Sequence, residues 1–355
     1  MSKSPYSELP ESSFWRTGVA QEDPSQIKFL YHKKFNISAQ DKIATAGSCF
    51  AQHISRHLQS NGYKVLDLEP PPRGLSRDFC QKHGFSMYSA RYGNIYTVKQ
   101  LLQLAQEVAG DRKPQNWIWE RNGKFYDALR PNIEPEGFDS IEETVENRQH
   151  HISRVKKLFK KFDLFIFTLG LTEMWSHKRS GTIYPTAPGV IAGKFDENIY
   201  EFKNANHEEI VSDFKKFESV IRKLRKGESF KILLTVSPVP LTATASKNHI
   251  LVANTCSKSI LRSVASELST SSNIDYFPSY EIVTNPRNIS LAYEENLRSV
   301  KDETIETVMK HFFAQHPVLK KRKTSLHYKS KATPNITPQI EDIQCEEALL
   351  EAFSK

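Results

Sequence analysis

Short apolar runs alternate with amphipathic segments along most of this chain. The first run, Lys42–Ala46, is apolar and partly β-branched, which predicts a short buried strand. Within residues 50–62, apolar side chains recur every four positions before a glycine, as expected for an amphipathic helix and its C-terminal stop. Val65–Leu68 predicts a second strand. Such a strand–helix–strand unit is the building block of a parallel sheet with a right-handed crossover.

The same alternation continues to about residue 316. Helices are predicted over 140–161, 206–226, 252–270 and 300–315, and strands over Asp163–Gly170, Lys231–Pro238 and Ile274–Ile282. Strands that are apolar almost throughout and alternate with helices predict an α/β fold with a doubly wound parallel sheet. Two insertions, at roughly 70–135 and 178–205, are rich in Gly, Pro and aromatic residues. We expect them to cover the carboxyl ends of the strands.

The two ends of the chain lack this alternation. Residues 1–40 form an irregular polar lead-in, so the predicted domain spans residues 41–316. Residues 317–355 begin with a basic run, turn acidic and end in the helix-like EEALLEAF. We interpret this tail as a charged, flexible appendage, with contact to a membrane surface or a polyanion as the alternative. The basic run consists of Lys320, Lys321, Arg322, Lys323, Lys329 and Lys331.

Composition narrows the functional classes. A chain of 355 residues with 38% hydrophobic residues can bury a substantial core, which excludes wholesale disorder. Its net charge of +8 is scattered, apart from the tail, and no nucleic-acid-binding module accompanies it, so no specific nucleic-acid partner is predicted. The four cysteines lie far apart without a CxxC pair. This spacing favours neither a zinc site nor a disulfide framework, and no metal is predicted.

No stretch of the sequence has the character of a signal peptide or a membrane-spanning helix. The N-terminal segment MSKSPYSELPESSFWRTG lacks an apolar core. The longest apolar runs, around Leu164–Leu171 and Ile232–Val236, are far shorter than the roughly 20 residues that span a bilayer. We therefore expect a cytoplasmic protein without a transmembrane segment. The oligomeric state stays open.

Polar and turn-forming residues follow the predicted strands at their carboxyl ends, where ligands collect in open parallel sheets. The most informative segment is Gly47-Ser48-Cys49. The glycine permits a sharp turn, and the following helix directs its N-terminal amides at whatever bonds to Ser48. Ser48 is thus a candidate nucleophile, with an N-cap as the alternative. Cys49 is a second candidate, because helix N-termini activate thiols, but it also fits a small buried residue.

At this point the sequence resembles a known family. The segment GSCFAQHISRHL resembles the signature of the GSCFA family, which is similar to the SGNH, or GDSL-like, hydrolases. The similarity covers about residues 42–315 and continues, in order, through ARYGNIYTVKQLLQL, FTLGLTEMW, YPTAPGVIAGKFD, LTVSPVPLTATAS, YFPSYEIV and NLRSV. The resemblance implies a flavodoxin-like, three-layer α/β/α fold.

The resemblance also implies roles for residues near the first strand. Ser48 matches the serine of the first SGNH block and would be the nucleophile. Gly93 and Asn94 match the second block, in which a backbone amide joins the oxyanion hole. These three residues would therefore meet at the carboxyl end of the sheet.

The third and fourth blocks depart from the SGNH pattern. The third matches Gly170–Glu173, which lacks the usual Asn, so Thr172 or Glu173 would take its place. The DxxH motif of the fourth corresponds to Glu295–Arg298, so an arginine stands where the histidine base is expected. A guanidinium stays protonated and cannot accept the serine proton. Arg298 would instead bind an anionic group such as a phosphate or a carboxylate.

Another group must then act as the base. His249, in the loop after LTVSPVPLTATAS, is our candidate, and an ordinary loop or helix-start histidine is the alternative. Glu281, predicted at the end of the last strand, would orient His249 or pair with Arg298, unless it forms a structural ion pair. His53 and His57 are spaced like a metal-binding pair, but with no third ligand in sight we expect them to face solvent.

Two functions from different classes fit these features. The first is an ester hydrolase or O-acyltransferase that acts on a carbohydrate-containing substrate through an acyl-serine intermediate, a substrate class implied by the resemblance. No cofactor is required, although acetyl-CoA could donate the acyl group, with Arg298, Arg91 or lysines near the cleft on its phosphates. The second is a non-catalytic module that binds an anionic sugar or a nucleotide-like ligand in polysaccharide assembly. The sequence does not separate hydrolase from transferase.

Overall fold

A computed structural model describes residues 4–23, 26–317 and 346–354. Its strands are β1 Lys42–Gly47, β2 Lys64–Val65, β3 Ile118–Arg121, β4 Lys124–Asp127, β5 Leu164–Leu169, β6 Glu173–His177, β7 Ile183–Tyr184, β8 Tyr200–Asn204, β9 Lys231–Val236 and β10 Ile274–Tyr276. Its helices are α1 Phe50–Ser60, α2 Arg77–Lys82, α3 Val98–Ala109, α4 Ile141–Lys161, α5 His207–Leu224, α6 Ile250–Leu268, α7 Ser279–Val283, α8 Ile289–Ala292 and α9 Asp302–Gln315.

Five strands form the central sheet, in the spatial order β10-β9-β5-β1-β2. All four pairings are parallel, and β1 runs in register with β5 from Ile43 opposite Leu164 to Gly47 opposite Thr168. Counted along the chain, these strands lie in the order 2-1-3-4-5, which is the flavodoxin-like order of a doubly wound sheet. The predicted fold class is therefore confirmed.

Each central strand is buried on both sides because helices cover both faces of the sheet. Alternate residues face opposite layers. On one side, Ala44, Phe165, Phe167, Ile232 and Leu234 pack against α3, α4, α5 and α6. On the other side, Ile43, Leu164, Ile166 and Leu233 pack against α1, α7 and α9. This arrangement is the predicted three-layer α/β/α sandwich.

Two predicted strands are too long. The apolar run Ile274–Ile282 does not form one strand, because β10 ends at Tyr276 and α7 begins at Ser279. Pro278 lies between them, and a proline cannot donate to a strand ladder. Likewise β2 is only Lys64–Val65, after which Leu66 makes one further hydrogen bond, of 2.8 Å, to the carbonyl of Ile43.

The first insertion contains a helix that the sequence analysis did not identify. Helix α3 has a capping box formed by Thr97 and Gln100, and its buried side chains follow the helical spacing. The segment just before α3 crosses the carboxyl ends of two strands. The Ile95 amide donates to the Gly47 carbonyl at 2.9 Å, and the Gly170 amide donates to the Tyr96 carbonyl at 3.2 Å. This insertion therefore forms one wall of the region around Ser48.

The N-terminal lead-in packs against the domain. Tyr31 and Ile37 are buried in the same core as α1 and α9, and the Tyr31 hydroxyl donates to Asp275 at 2.9 Å. The predicted basic run at 320–331 lies outside the described residues, whereas Glu346–Phe353 form a 3₁₀ helix. Across the ranges that the structure describes, no helix combines the length and the apolar character needed to cross a bilayer.

Candidate active site

The turn after β1 requires a glycine. Gly47 has a φ of +140°, and a Cβ atom there would lie only 2.6 Å from the Thr168 carbonyl oxygen of the neighbouring strand. A side chain at this position would therefore be strained and would collide with β5. Because the backbone turns here, Ser48 lies directly between the end of β1 and the start of α1.

The Ser48 hydroxyl is enclosed and unpaired. Ser48 is 3% exposed, and its Oγ atom has no hydrogen-bond partner in the part of the chain that the structure describes. The interpretation of Ser48 as an N-cap is therefore wrong, since Cys49 holds that position and no side chain caps α1. Cys49 is buried and forms no disulfide with any of the described residues. Because Phe50 opens the helix, its amide has no intrahelical acceptor, which leaves a donor close to Ser48.

A buried tyrosine, Tyr88, connects Asn94 to Ser48. The Tyr88 hydroxyl is 3.0 Å from the carbonyl oxygen of Ser48 and also contacts Asn94 Oδ1. Gln52 Nε2 donates to the Tyr88 hydroxyl at 3.3 Å and to Asn94 Oδ1 at 3.4 Å. Since these contacts occupy Oδ1, Asn94 can act on a ligand only through its Nδ2 donor. Gly93, with a φ of +67°, makes the turn that brings Asn94 here.

The third wall is the loop that leaves β5. A Cβ atom on Gly170 would lie 3.0 Å from Ser48 Cβ and 3.1 Å from the Tyr96 carbonyl, so the glycine permits close approach. Lys258, which is 1% exposed, donates from Nζ to the Gly170 carbonyl at 2.9 Å. A buried ammonium group therefore holds the segment that contacts Ser48.

Thr172 and Glu173 make their hydrogen bonds to residues other than Ser48. The amide and the hydroxyl of Thr172 lie 3.2 Å and 3.0 Å from Ser257 Oγ, so this hydroxyl is used to attach the loop to α6. Glu173 Oε1 accepts from the Thr244 hydroxyl at 2.7 Å. Burial raises the pKa of Glu173 above its ordinary value, although this hydrogen bond and one from the Ala245 backbone oppose the shift. The assignment of Thr172 or Glu173 in place of the missing Asn stays a prediction.

Sequence reasoning missed the polar face of α6. Asn254 Oδ1 accepts from the Leu241 amide at 3.2 Å, and the side chains of Ser257 and Lys258 hold the loop after β5. The signal was present in the sequence. Positions 254, 257 and 258 belong to the i, i+3, i+4 face that continues to the buried Leu261, so polar residues occupy core-facing positions.

His249 caps a helix in this structure. It is exposed, it occupies the N-cap of α6, and its Nδ1 atom accepts from the Leu251 amide at 3.2 Å. No hydrogen bond joins His249 to Ser48. The assignment of His249 as the base stays a prediction, and it requires the side chain to leave the capping position.

Glu281 forms a local ion pair. It lies in α7 instead of at a strand end, where it pairs with Arg262 and accepts from the Tyr276 hydroxyl at 2.7 Å. It contacts neither His249 nor Arg298. This geometry corresponds to the structural ion pair that was the alternative for this residue.

Arg298 is also engaged. Its Nη1 atom is 3.0 Å from Glu351 of the C-terminal 3₁₀ helix, and its Nε and Nη2 atoms donate to the Pro240 carbonyl at 3.4 Å and 3.3 Å. This places Arg298 beside the loop that leaves β9. Glu295 is exposed and makes no side-chain hydrogen bond within the described ranges. An anion that binds Arg298 would have to compete with Glu351.

The two histidines of α1 have environments that disfavour their charged forms. Burial, together with Arg56 and His57, lowers the pKa of His53 to about 3. Burial also lowers the pKa of His57, although Glu306 and Asp302 oppose that shift. Among the residues described by the structure, no group of three or more His, Cys, Asp or Glu side chains is arranged to hold a metal ion.

The assembled site has a buried serine hydroxyl and nearby hydrogen-bond donors, and no base among the described residues contacts that hydroxyl. Ser48 lies beside the N-terminus of α1 and the Gly170 loop, and Tyr88 connects it to Asn94. This arrangement suits stabilisation of a developing oxyanion, because its donors are fixed before a ligand arrives. His249 and Glu281, predicted as base and orienting acid, make no hydrogen bond to Ser48, and neither does Glu295.

Solved structures with a similar fold include two esterases. A carbohydrate esterase of family 3 from Talaromyces cellulolyticus aligns at a TM-score of 0.32 and 8% identity, covering 78% of this chain and 96% of that chain. A mutant acetyl esterase crystallised with an acetate ion aligns at a TM-score of 0.29 and 8% identity, covering 76% and 93%. The fold assignment above rests on the sheet order and not on these similarities.

Sequence comparison identifies the family. Comparison with curated protein sequences found no significant match. The profile of the GSCFA family, in contrast, matches residues 42–312, which begin with β1 and end within α9. This match includes the Ser48 turn, the Asn94 segment, the Gly170 loop and Arg298, and it spans most of the chain. The chain therefore belongs to the GSCFA family.

Proposed function

We propose that this protein performs acyl-ester chemistry, as an ester hydrolase or an O-acyltransferase, with Ser48 as the nucleophile. One observation carries the proposal: the Ser48 hydroxyl is buried at a helix N-terminus and has no hydrogen-bond partner among the described residues. Leaving a buried hydroxyl unpaired costs about 1–3 kcal/mol. Such costs are typical of functional sites, where a polar group is kept for a ligand.

The proposed reaction has two steps. Ser48 Oγ attacks the acyl carbonyl carbon, its proton passes to a base, and the negative charge on the carbonyl oxygen is stabilised by the α1 N-terminus and Asn94 Nδ2. Loss of the alcohol or thiol leaving group, which takes up a proton, gives the acyl-serine. Water or an acceptor hydroxyl then attacks the acyl-serine and restores Ser48. The choice between these two acceptors separates a hydrolase from a transferase.

The proposed mechanism needs a base that accepts the Ser48 proton. His249 stays our first candidate, and Glu295 and Glu281 follow. His249 is exposed and is held only by one capping hydrogen bond, so its side chain can be released at small cost. Glu281 would first have to leave Arg262. Catalytic hydrogen bonds are often long or absent before substrate binds, which leaves room for such a movement.

The substrate part of the proposal rests on resemblance. SGNH-like folds commonly add or remove acyl groups on carbohydrates, so we propose a carbohydrate-containing substrate. Acetyl-CoA is the proposed donor if the protein is a transferase, which would agree with a cytoplasmic location. Arg91 is not available for its phosphates, since this side chain is buried and donates to Glu134 at 2.9 Å and to the His83 carbonyl at 2.8 Å.

Hydrolysis of p-nitrophenyl acetate tests the proposal. We expect Ser48→Ala to reduce turnover to the uncatalysed background, and His249→Ala to lower kcat by about 100-fold or more if it is the base. Ser237→Ala is the matched control. Ser237 is a buried serine that follows the neighbouring strand β9, but its Oγ atom already accepts from the Val239 amide at 3.3 Å. Turnover that survives Ser48→Ala would refute the serine mechanism.

A second function is favoured by Arg298. An arginine in the position of the SGNH histidine cannot serve as a base, and no other base among the described residues contacts Ser48. These facts support a binding module for an anionic sugar or a nucleotide-like ligand in polysaccharide assembly. Absence of ester turnover and of covalent labelling by a folded wild-type protein would favour this function over the first.

A further inference from the structure

A surface cleft is lined by residues outside the Ser48 region. It opens between the loop that follows α3, residues 112–116, and the turn that joins β6 to β7, residues 177–180, and its volume is about 680 Å³. Small-molecule sites typically have volumes of about 300–1,000 Å³. The cleft is therefore large enough for a ligand of the size of a sugar phosphate.

The lining of this cleft is positively charged. Each side contributes a pair of adjacent basic residues, Arg112 with Lys113 and Lys178 with Arg179. No Asp or Glu side chain lines the cleft. Lys113 and Arg179 are exposed and make no ion pair with any residue in the described ranges. Four cations facing one space repel one another, and a bound anion would relieve that repulsion.

Hydrogen bonds fix the two sides of the cleft relative to each other. Arg112 donates to the Ser180 carbonyl at 3.1 Å and to Thr182 Oγ1 at 3.4 Å, and the Gln115 amide also donates to Thr182 Oγ1 at 3.4 Å. The Tyr184 hydroxyl donates to the Asn116 carbonyl at 2.8 Å. These bonds hold the backbone beneath the basic side chains in one arrangement, which reduces the ordering entropy lost on binding.

The remaining lining residues indicate which kind of anion fits. Gln115, Asn116 and Asn198 offer amide donors and acceptors, which suit the hydroxyl groups of a sugar. Ile199 is the single apolar residue of the lining, and no Phe, Tyr or Trp ring lines the cleft to stack on a nucleobase. The lining therefore favours a phosphorylated sugar over a nucleotide.

We propose that this cleft is a binding site for a small phosphate-bearing sugar. The guanidinium of Arg179 and the ammonium of Lys113 hold the phosphate from opposite sides of the cleft, and the amide side chains bond to the sugar hydroxyls. The proposal stands apart from the acyl-ester function. A Ser48→Ala protein must bind the same ligand equally well.

Calorimetry on the full-length protein at low ionic strength tests the site, with glucose 6-phosphate as the probe. Glucose and inorganic phosphate serve as reference ligands. We expect glucose 6-phosphate to bind more tightly than inorganic phosphate, and glucose to give no measurable binding. The double variant Lys113→Gln/Arg179→Gln should bind at least about tenfold more weakly, since each substitution removes a charge-assisted contact.

The matched control is Lys215→Gln/Lys216→Gln. These lysines line another cleft on the surface, but that cleft contains Glu208 and Glu267, and Lys215 is 3.2 Å from Glu267. The control should retain wild-type affinity, and both double variants should melt near the wild-type temperature because the substituted side chains are exposed. The proposal is overturned if glucose 6-phosphate does not bind, if inorganic phosphate binds equally well, or if the two double variants lose the same affinity.

Discussion

Two buried polar regions of this protein use their hydrogen-bonding groups in different ways. In the first, which we call the buried ion cluster, every charged side chain has a partner. It consists of Glu69, Glu107, Asp127, Arg130, Arg148 and His151. In the second, around Ser48, the hydroxyls of Ser48 and Thr168 are buried without a partner among the described residues. The region with more charged groups therefore leaves fewer buried polar atoms without a hydrogen-bond partner.

The buried ion cluster supports the fold, whereas the Ser48 region has the character of a ligand site. Asp127 accepts from Arg130 Nε at 2.6 Å and from Arg148 Nη1 at 2.9 Å, and Arg130 also donates to the Arg91 carbonyl at 3.3 Å. The cluster therefore attaches helix α4 to the segment that carries Gly93 and Asn94. The charged side chains of the cluster pair with one another. The Ser48 region lies at the other end of that segment and keeps a hydroxyl available, as a ligand site requires.

Removing a charge from the cluster should give the largest effect. Asp127→Asn leaves the buried guanidinium groups of Arg130 and Arg148 with too little compensating charge, and breaking a buried pair costs about 3–5 kcal/mol. Urea unfolding measures the loss. Asp139→Asn is the control, because Asp139 pairs with Lys124 at the surface, and its loss should stay below about 1 kcal/mol. Similar losses for the two variants would contradict the contrast between the two regions.

The pH dependence of stability should show an intermediate effect from the cluster. Burial, together with Arg130, lowers the pKa of His151 to about 4, although its bond to Glu69 opposes the shift. Below pH 6.5, His151 is protonated in the unfolded chain but stays neutral in the folded protein. The free energy of unfolding therefore falls as the pH drops from 6.5 towards 4. From pH 7 to pH 5 this contribution is about 2 kcal/mol.

Unfolding of wild type and His151→Gln at both pH values isolates that contribution. The variant should lose about 2 kcal/mol less than the wild type over this interval. The other histidines with lowered pKa values titrate in both proteins, so their contributions cancel. Equal losses in the two proteins would mean that His151 does not resist protonation in the fold.

Ser48→Ala should give the smallest effect on stability, and its sign is informative. An unpaired buried hydroxyl destabilises the fold, so its removal should leave the free energy of unfolding unchanged or raise it by up to about 1 kcal/mol. A capping role would instead predict a loss of about 1 kcal/mol. Ser140→Ala is the matched control, since Ser140 does cap α4 by accepting from the Glu143 amide at 3.1 Å. A comparable loss in both variants would contradict our assignment.

The periodicity of the sequence predicted the central fold well, because the sheet is buried on both faces. Apolar runs such as that of β5 have no other stable location, and the helices between them keep one apolar stripe. The strand prediction was wrong where an apolar run contains a residue that cannot continue a strand. Ile274–Ile282 is apolar enough for one strand, but Pro278 divides it into β10 and α7. Pro278 itself was the signal that could have corrected the prediction.

The site could be predicted only where the chain is locally informative. Gly47 and Ser48 can be recognised from the sequence. A glycine before a serine, between a predicted strand and a predicted helix, permits a sharp turn that places the serine at the helix N-terminus. Lys258 could not be found by motif, since its partner Gly170 lies far away in the sequence. Asp127 pairs with the nearby Arg130 but also with the distant Arg148, which no local motif indicates. For both Lys258 and Asp127, the signal was a polar residue at a buried position of a regular element. The structure pairs Glu281 with Arg262 and Arg298 with Glu351. The sequence could not identify these partners, because ion pairs depend on three-dimensional neighbours.

The most direct test of the account is labelling with a fluorophosphonate, followed by intact mass and peptide mapping. This reagent modifies serines only when they are activated. We predict a single adduct on Ser48. The adduct should be absent in Ser48→Ala and retained in Ser237→Ala, because Ser237 is a buried serine after the neighbouring strand β9 and has no proposed role in the reaction. No adduct on a folded protein, or an adduct that persists in Ser48→Ala, would contradict the assignment of Ser48 as a nucleophile.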